Sequence, residues 1–114
     1  MEVFVEKSLL FDFYGELLTE HQRRIYTEIV FNDYSAAEVA ADEGISRQGV
    51  HDLMKRCDRL LEDYESRLHL VDKFVHIRDN IRQIQTLTTE TAEGTAEDRM
   101  KQIREISSSI LEEL

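Results

Sequence analysis

Six side chains within residues 46–56 carry the clearest chemistry in this sequence: Ser46, Arg47, Gln48, His51, Lys55 and Arg56. Each matches something nucleic acid offers. A guanidinium can grip the O6 and N7 of guanine with two hydrogen bonds, and a Gln amide can do the same with the N6 and N7 of adenine. Hydroxyls and cations suit phosphate oxygens. Arg47 and Gln48 are therefore candidates for base edges, with His51 beside them, and Ser46, Lys55 and Arg56 for phosphates. Over residues 46–60, four basic side chains (Arg47, Lys55, Arg56, Arg59) stand against two acidic ones (Asp52, Asp58), a local charge of +2 on a chain of net charge −10. Asp52 argues against phosphate binding from inside the same stretch. Arg47 and Gln48 also suit the first turn of any solvated helix, so residue types alone leave base readout and a structural role both open.

Other chemistry finds little footing. Cys57 is the only cysteine and falls on an apolar helical stripe, where a small buried hydrophobe is the common case. There is no glycine-rich phosphate loop and no Gly-x-Ser-x-Gly turn. His69, Asp72 and His76 can share one helical face, yet without a further ligand they read as solvated surface residues. The remaining carboxylates read as a solvated face. The expectation is a protein that is not an enzyme, with no cofactor and no metal.

Residues 35–56 read as the elements that hold the six side chains. Ser35 followed by Glu38 is a capping box that starts a helix. Ala36, Ala37, Val39, Ala40 and Ala41 keep that helix slim. Gly44 supplies the left-handed residue that ends it and lets the chain reverse. Ile45 is an apolar plug in the turn, Ser46 caps the next helix, and Val50 and Leu53 point back at the first. Two short-coupled helices with these offsets make a helix-turn-helix, a motif whose second helix presents its first residues to base edges.

The flanking segments read as further helices. From about residue 5 to 18, Leu9, Leu10, Phe13, Tyr14 and Leu17 mark one face, with Gly15 inside and a close contact as its explanation. Thr19 with Gln22 opens a helix to about Phe31, with Ile25, Tyr26, Ile29 and Val30 inward. Asn32, Asp33 and Tyr34 form a turn. Beyond the motif, one stripe runs Leu53, Cys57, Leu60, Tyr64, Leu68. A second runs Leu70, Phe74, Ile77, Ile81, Ile84 out of phase with it, so a bend falls near His69 with Asp72 as a possible new cap. An unbroken helix from Ser46 to Thr86 would extend roughly 60 Å. Residues 86–95 read as a linker. Thr95 with Asp98 caps a last helix striped by Met100, Ile103, Ile106, Ile110 and Leu114.

A chain of 114 residues without proline, 33% charged and poor in strand-like runs, is all-α: a helical bundle carrying the helix-turn-helix, then long C-terminal helices. Residues 1–66 form the expected bundle and 67–114 the extension. The acidic start does not suit a signal peptide and no apolar run approaches a membrane span, so the expected location is the cytoplasm.

Residues 18–65, LTEHQRRIYTEIVFNDYSAAEVAADEGISRQGVHDLMKRCDRLLEDYE, resemble region four of bacterial sigma factors. More closely, LLFDFYGELLTEHQRRIY and EVAADEGISRQGVHDLMKRCDRLLEDYESRLHLVDKF resemble the YlxM family of small bacterial helix-turn-helix proteins. FDFYGELLT and ISRQGVHD are the most specific segments. The resemblance implies an all-α fold with a sigma-type motif and a regulatory role in the signal recognition particle pathway. In sigma factors the positions matching Arg47, Gln48 and His51 face DNA. This chain departs from sigma factors in placing Gly49 and Asp52 on that helix.

Two functional classes follow. One is a regulator that binds DNA or RNA through residues 46–56. The other is a protein-interaction module on the targeting machinery, its GTPase or its RNA–protein particle, with the motif as scaffold and the acidic body facing a basic partner. In either case the two C-terminal stripes are too broad for a lone hairpin, and a homodimer held by the C-terminal half is expected.

Overall fold

Local side-chain chemistry sets where the helices begin. In the computed structural model, which describes residues 1–114, there are six α-helices and no strand: α1 Val3–Tyr14, α2 Glu20–Val30, α3 Ala36–Glu43, α4 Arg47–Leu68, α5 Leu70–Leu87 and α6 Ala96–Glu113. A single 3-10 turn, Gly15–Leu17, follows α1. Thr19 and Gln22 close a full capping box, with hydrogen bonds of 3.0 and 3.1 Å. Ser35 accepts from the Glu38 N–H at 3.1 Å, but its hydroxyl donates to the Glu38 carboxylate instead of leaving that group for the backbone. Half of the expected box is therefore formed. Thr95 caps α6 by accepting from the Asp98 N–H.

The chain divides into two units, Met1–His69 and Leu70–Leu114. In the first, α4 packs against α1, α2 and α3. Ile25, Val39, Ala40 and Val50 form its central cluster, with Ile29, Ala36, Leu53 and Met54 against it. Phe11 stacks on Tyr26, centroids 5.5 Å apart, and also meets Phe31 at 5.2 Å. A Cβ at Gly15 would lie 3.1 Å from the Phe11 ring, which is the close contact that glycine permits. Buried Tyr14 and Tyr26 keep their hydroxyls satisfied by donating to Glu65 and Asp58 at 2.6 and 3.1 Å.

The inward faces differ in detail from the sequence reading. On α1 the buried residues are Leu10 and Tyr14, while Phe13 is exposed, as is Leu17 in the 3-10 turn that follows. The helix is apolar nearly all round, so period alone does not single out a face. On α4 the buried line is Val50, Cys57 and Leu61, with Leu60 and Tyr64 half-buried and Leu68 exposed. A helix with three neighbours buries a wider arc than one heptad seam.

At His69 the backbone takes φ 58°, ψ 26° and α4 ends. Because α5 already starts at Leu70, Asp72 lies in its first turn and is not its cap. Within the second unit α5 and α6 pair antiparallel, with the His76 imidazole 3.4 Å from Glu113 near the open end. α5 continues to Leu87, so the connecting segment is 88–95, turning at Gly94 with φ 89°.

Candidate nucleic-acid interface

Gly44 holds φ 69°, ψ 31° at the end of α3, and the Ile45 N–H donates back to the Ala40 carbonyl at 3.1 Å. This is the left-handed helix stop that reverses the chain. Behind it, Glu43 receives both arms of Arg24, at 3.1 and 3.0 Å, with His21 at 3.4 Å. Those hydrogen bonds from Arg24 hold the Glu43 carboxyl below the usual range. They pin the start of α2 to the end of α3 at the turn. Ile45 itself is only partly covered, at 37% exposure, so it plugs the turn incompletely.

Ser46 caps α4, its Oγ accepting from the Gly49 N–H at 2.9 Å. A Cβ on residue 49 would sit 3.2 Å from that oxygen. Gly49 thus gives the cap room, although glycine inside a helix costs about 1 kcal/mol against alanine. All six candidate residues are solvent-exposed. Ser46 uses one lone pair in the cap and keeps its hydroxyl hydrogen free to donate.

Opposite the buried line of Val50, Cys57 and Leu61, helical spacing puts Gln48, Lys55 and Arg59 in one outward row. His51 lies along one edge of that row, while Arg47, three residues before buried Val50, is exposed only because it stands in the first turn. Arg56 lies along the other, where with Asp52, Gly49 and Leu53 it lines a cleft of about 360 Å³ against Thr19, His21 and Gln22 of the α2 start. The six side chains are therefore all exposed but do not share one face: Gln48 and Lys55 lie opposite the core, His51 and Arg56 to either side, and Ser46 and Arg47 at the helix start. Arg59 belongs to the same row and extends the cationic line a turn further. The seven- and eleven-residue steps from Gln48 to Lys55 and Arg59 carry that signal in the sequence.

The acids of this helix are handled differently from its cations. Asp58 is half-buried, taking the Tyr26 hydroxyl and the Lys7 ammonium at 3.5 Å. Asp52 stays on the exposed face and accepts from Gln48 Nε2 at 2.9 Å. Arg47, Lys55, Arg56 and Arg59 take part in none of the ion pairs of the molecule. Cys57 is fully buried, and burial pushes its thiol up to about 11. His69 occupies the helix break, His76 pairs with Asp72 and Glu113, and no group of three such side chains could hold a metal ion. No helix is long and apolar enough to cross a membrane.

Residues 1–105 match the family described as "Putative helix-turn-helix protein, YlxM / p13 like". A UPF0122 protein of Caldanaerobacter subterraneus subsp. tengcongensis is 46% identical over 81 residues, 71% of this chain and 69% of the relative. A UPF0122 protein of Clostridium kluyveri is 43% identical over 84 residues, 74% of this chain and 76% of the relative. The match to a UPF0122 protein of Desulforamulus reducens, at 34% identity, covers 98% of this chain and 96% of the relative, and so takes in the C-terminal hairpin. With the motif formed as its residues dictate and the match covering most of the chain, this protein belongs to the YlxM/p13-like helix-turn-helix family.

Proposed function

We propose that this chain is a regulatory protein that binds duplex DNA by laying the exposed face of α4 along the major groove. The observation that carries the reading is the set of exposed, unpaired cations on α4, Lys55 and Arg59 in one row with Arg56 beside it and Arg47 at the helix start, on an otherwise acidic unit. Met1–His69 holds fifteen acidic and eight basic side chains, a net −7, so free positive charge gathered on one helix is a focused patch. The likeness of residues 18–65 to sigma region four favours DNA over RNA. Such a role belongs in the cytoplasm of a bacterium.

The acidic body supports a second reading, in which the motif is scaffold and a basic protein surface is the ligand. Because the family resemblance implies the signal recognition particle pathway, its RNA and its GTPase are the natural competitors. We also assign the C-terminal hairpin a role in pairing two chains, which would present two α4 faces to paired half-sites.

The test is a titration of the full chain against duplex DNA, signal-recognition RNA and the targeting GTPase at two salt concentrations. If DNA is the ligand, Arg47→Ala and Gln48→Ala each cost about 1–3 kcal/mol on the preferred site. Lys55→Ala weakens every sequence alike and lowers the salt slope by about one. Binding to the GTPase alone, untouched by these substitutions, replaces the DNA reading with the scaffold one.

A further inference from the structure

Asp52 carries the wrong charge for a face meant to approach phosphates, and it is exposed on that face with no cation paired to it. Six residues on, Asp58 shows the alternative, its charge taken up by Tyr26 and Lys7. What Asp52 does hold is the Gln48 amide, through the 2.9 Å bond to Nε2. We infer that Asp52 is a positioning residue that makes Gln48 select adenine over guanine, at a loss of affinity for every sequence. The inference rests on the DNA-binding reading above.

An unrestrained Gln amide presents donors and acceptor in any order. Adenine in the major groove offers an acceptor, N7, beside a donor, N6–H, whereas guanine offers two acceptors, N7 and O6. A free NH2 can turn both of its hydrogens toward guanine. Once one hydrogen is committed to Asp52, a single N–H and the Oε1 acceptor remain, and that pair complements adenine alone. The Asp52 carboxylate meanwhile repels the phosphates of any duplex, which lowers affinity without altering the preference. The plain alternative is an ordinary helix-surface pair four residues apart that steadies α4 by a small amount.

The experiment enriches a pool of duplexes with 20 randomised base pairs on the full wild-type chain. The enriched duplex and its single A·T-to-G·C changes are then titrated with wild type, Asp52→Ala, Asp52→Asn, Gln48→Ala and the Asp52→Ala/Gln48→Ala double variant. At one A·T pair the wild type is expected to discriminate about tenfold. Asp52→Ala binds every duplex more tightly and loses the discrimination at that pair only. Asp52→Asn also binds more tightly but keeps the preference, because its amide oxygen still accepts from Gln48. Gln48→Ala loses the preference, and the double variant loses nothing further. Retention of the full ratio by Asp52→Ala overturns the inference and leaves DNA binding standing. So does uniform weakening with reduced helicity, which marks a structural role. A wild type that enriches no duplex removes the DNA-binding reading and this inference together.

Discussion

In Met1–His69 ten apolar side chains are withdrawn from solvent, from Leu10 to Leu61, whereas in Leu70–Leu114 only Val71 is. Both units are helical, but eight of the nine aromatic side chains lie in the first, and the helices of the two units differ in how many neighbours they have. α4 touches three other helices and buries an arc of its surface. α6 pairs with α5 and has no buried residue at all. Two helices share one seam, and whatever lies beyond it stays wet. The motif face is thus carried by a unit with a core of its own, while the hairpin keeps apolar surface to spare.

The sharpest way to break that comparison is to make the same truncation in both units. Ile25 is fully buried among Val39, Ala40 and Val50. Ile25→Ala should cost about 2–5 kcal/mol. Ile106, half-buried on α6, should cost roughly 1 kcal/mol when truncated. All four tyrosines lie in the first unit and there is no tryptophan, so tyrosine fluorescence follows that unit alone during urea unfolding. Far-UV circular dichroism follows both. Equal losses at the two positions would mean that the units share one core.

A second test addresses the surplus surface. Ile81 is 45% exposed, Met100 64% and Leu111 72%. If a second copy covers them, the wild type has the mass of two chains at micromolar concentration by light scattering. Ile81→Asp, which would put an unpaired carboxylate into that contact, costs several kcal/mol and gives the mass of one. A one-chain mass at every concentration, with or without the substitution, removes the dimer.

Much of this architecture is written locally. Thr19 and Gln22, Ser46, Gly44 and Thr95 act on backbone groups within a few residues of themselves, so their effects can be read from spacing alone. The phase jump at His69 is likewise a matter of counting. What spacing does not disclose is which of several apolar residues finds a partner. Phe11 lies beside equally apolar Leu9, Leu10 and Phe13, and its place is decided by Tyr26 on the next helix and Phe31 at that helix's end. Leu60 and Leu61 are adjacent, and only the packing of neighbouring helices against α4 makes Leu61 the buried one. At the candidate interface the exposed cations were legible as a charge cluster. That Asp58 turns inward to Tyr26 and Lys7 while Asp52 stays out is a tertiary fact, and it changes the electrostatic reading of the helix.

The smallest effect expected is one of slope, and it again separates the two units. The groups that burial pushes up, Cys57 and Tyr26, both lie in Met1–His69. In the unfolded chain a thiol ionises near pH 8.5, as an ordinary cysteine does. In the folded chain it holds its proton to about 11, because Val50 and Leu61 lie on the same buried line and Asp58 repels a neighbouring anion. The folded state therefore binds the proton more tightly than the unfolded state does. Its contribution to stability is complete below the unfolded value and is lost as pH rises toward 11. Between pH 8 and 10 the melting temperature of the wild type should fall with rising pH, and Cys57→Ala should flatten that fall whatever it does to the starting value. Tyr26, raised by burial and then by Asp58, adds its own loss only above its ordinary value of 10.0. Melts followed by circular dichroism at half-unit pH steps read the slope directly. An unchanged slope in Cys57→Ala would mean that the thiol ionises as freely in the folded chain as in the unfolded one, and Cys57 would then have to be reachable by water in a core that otherwise excludes it.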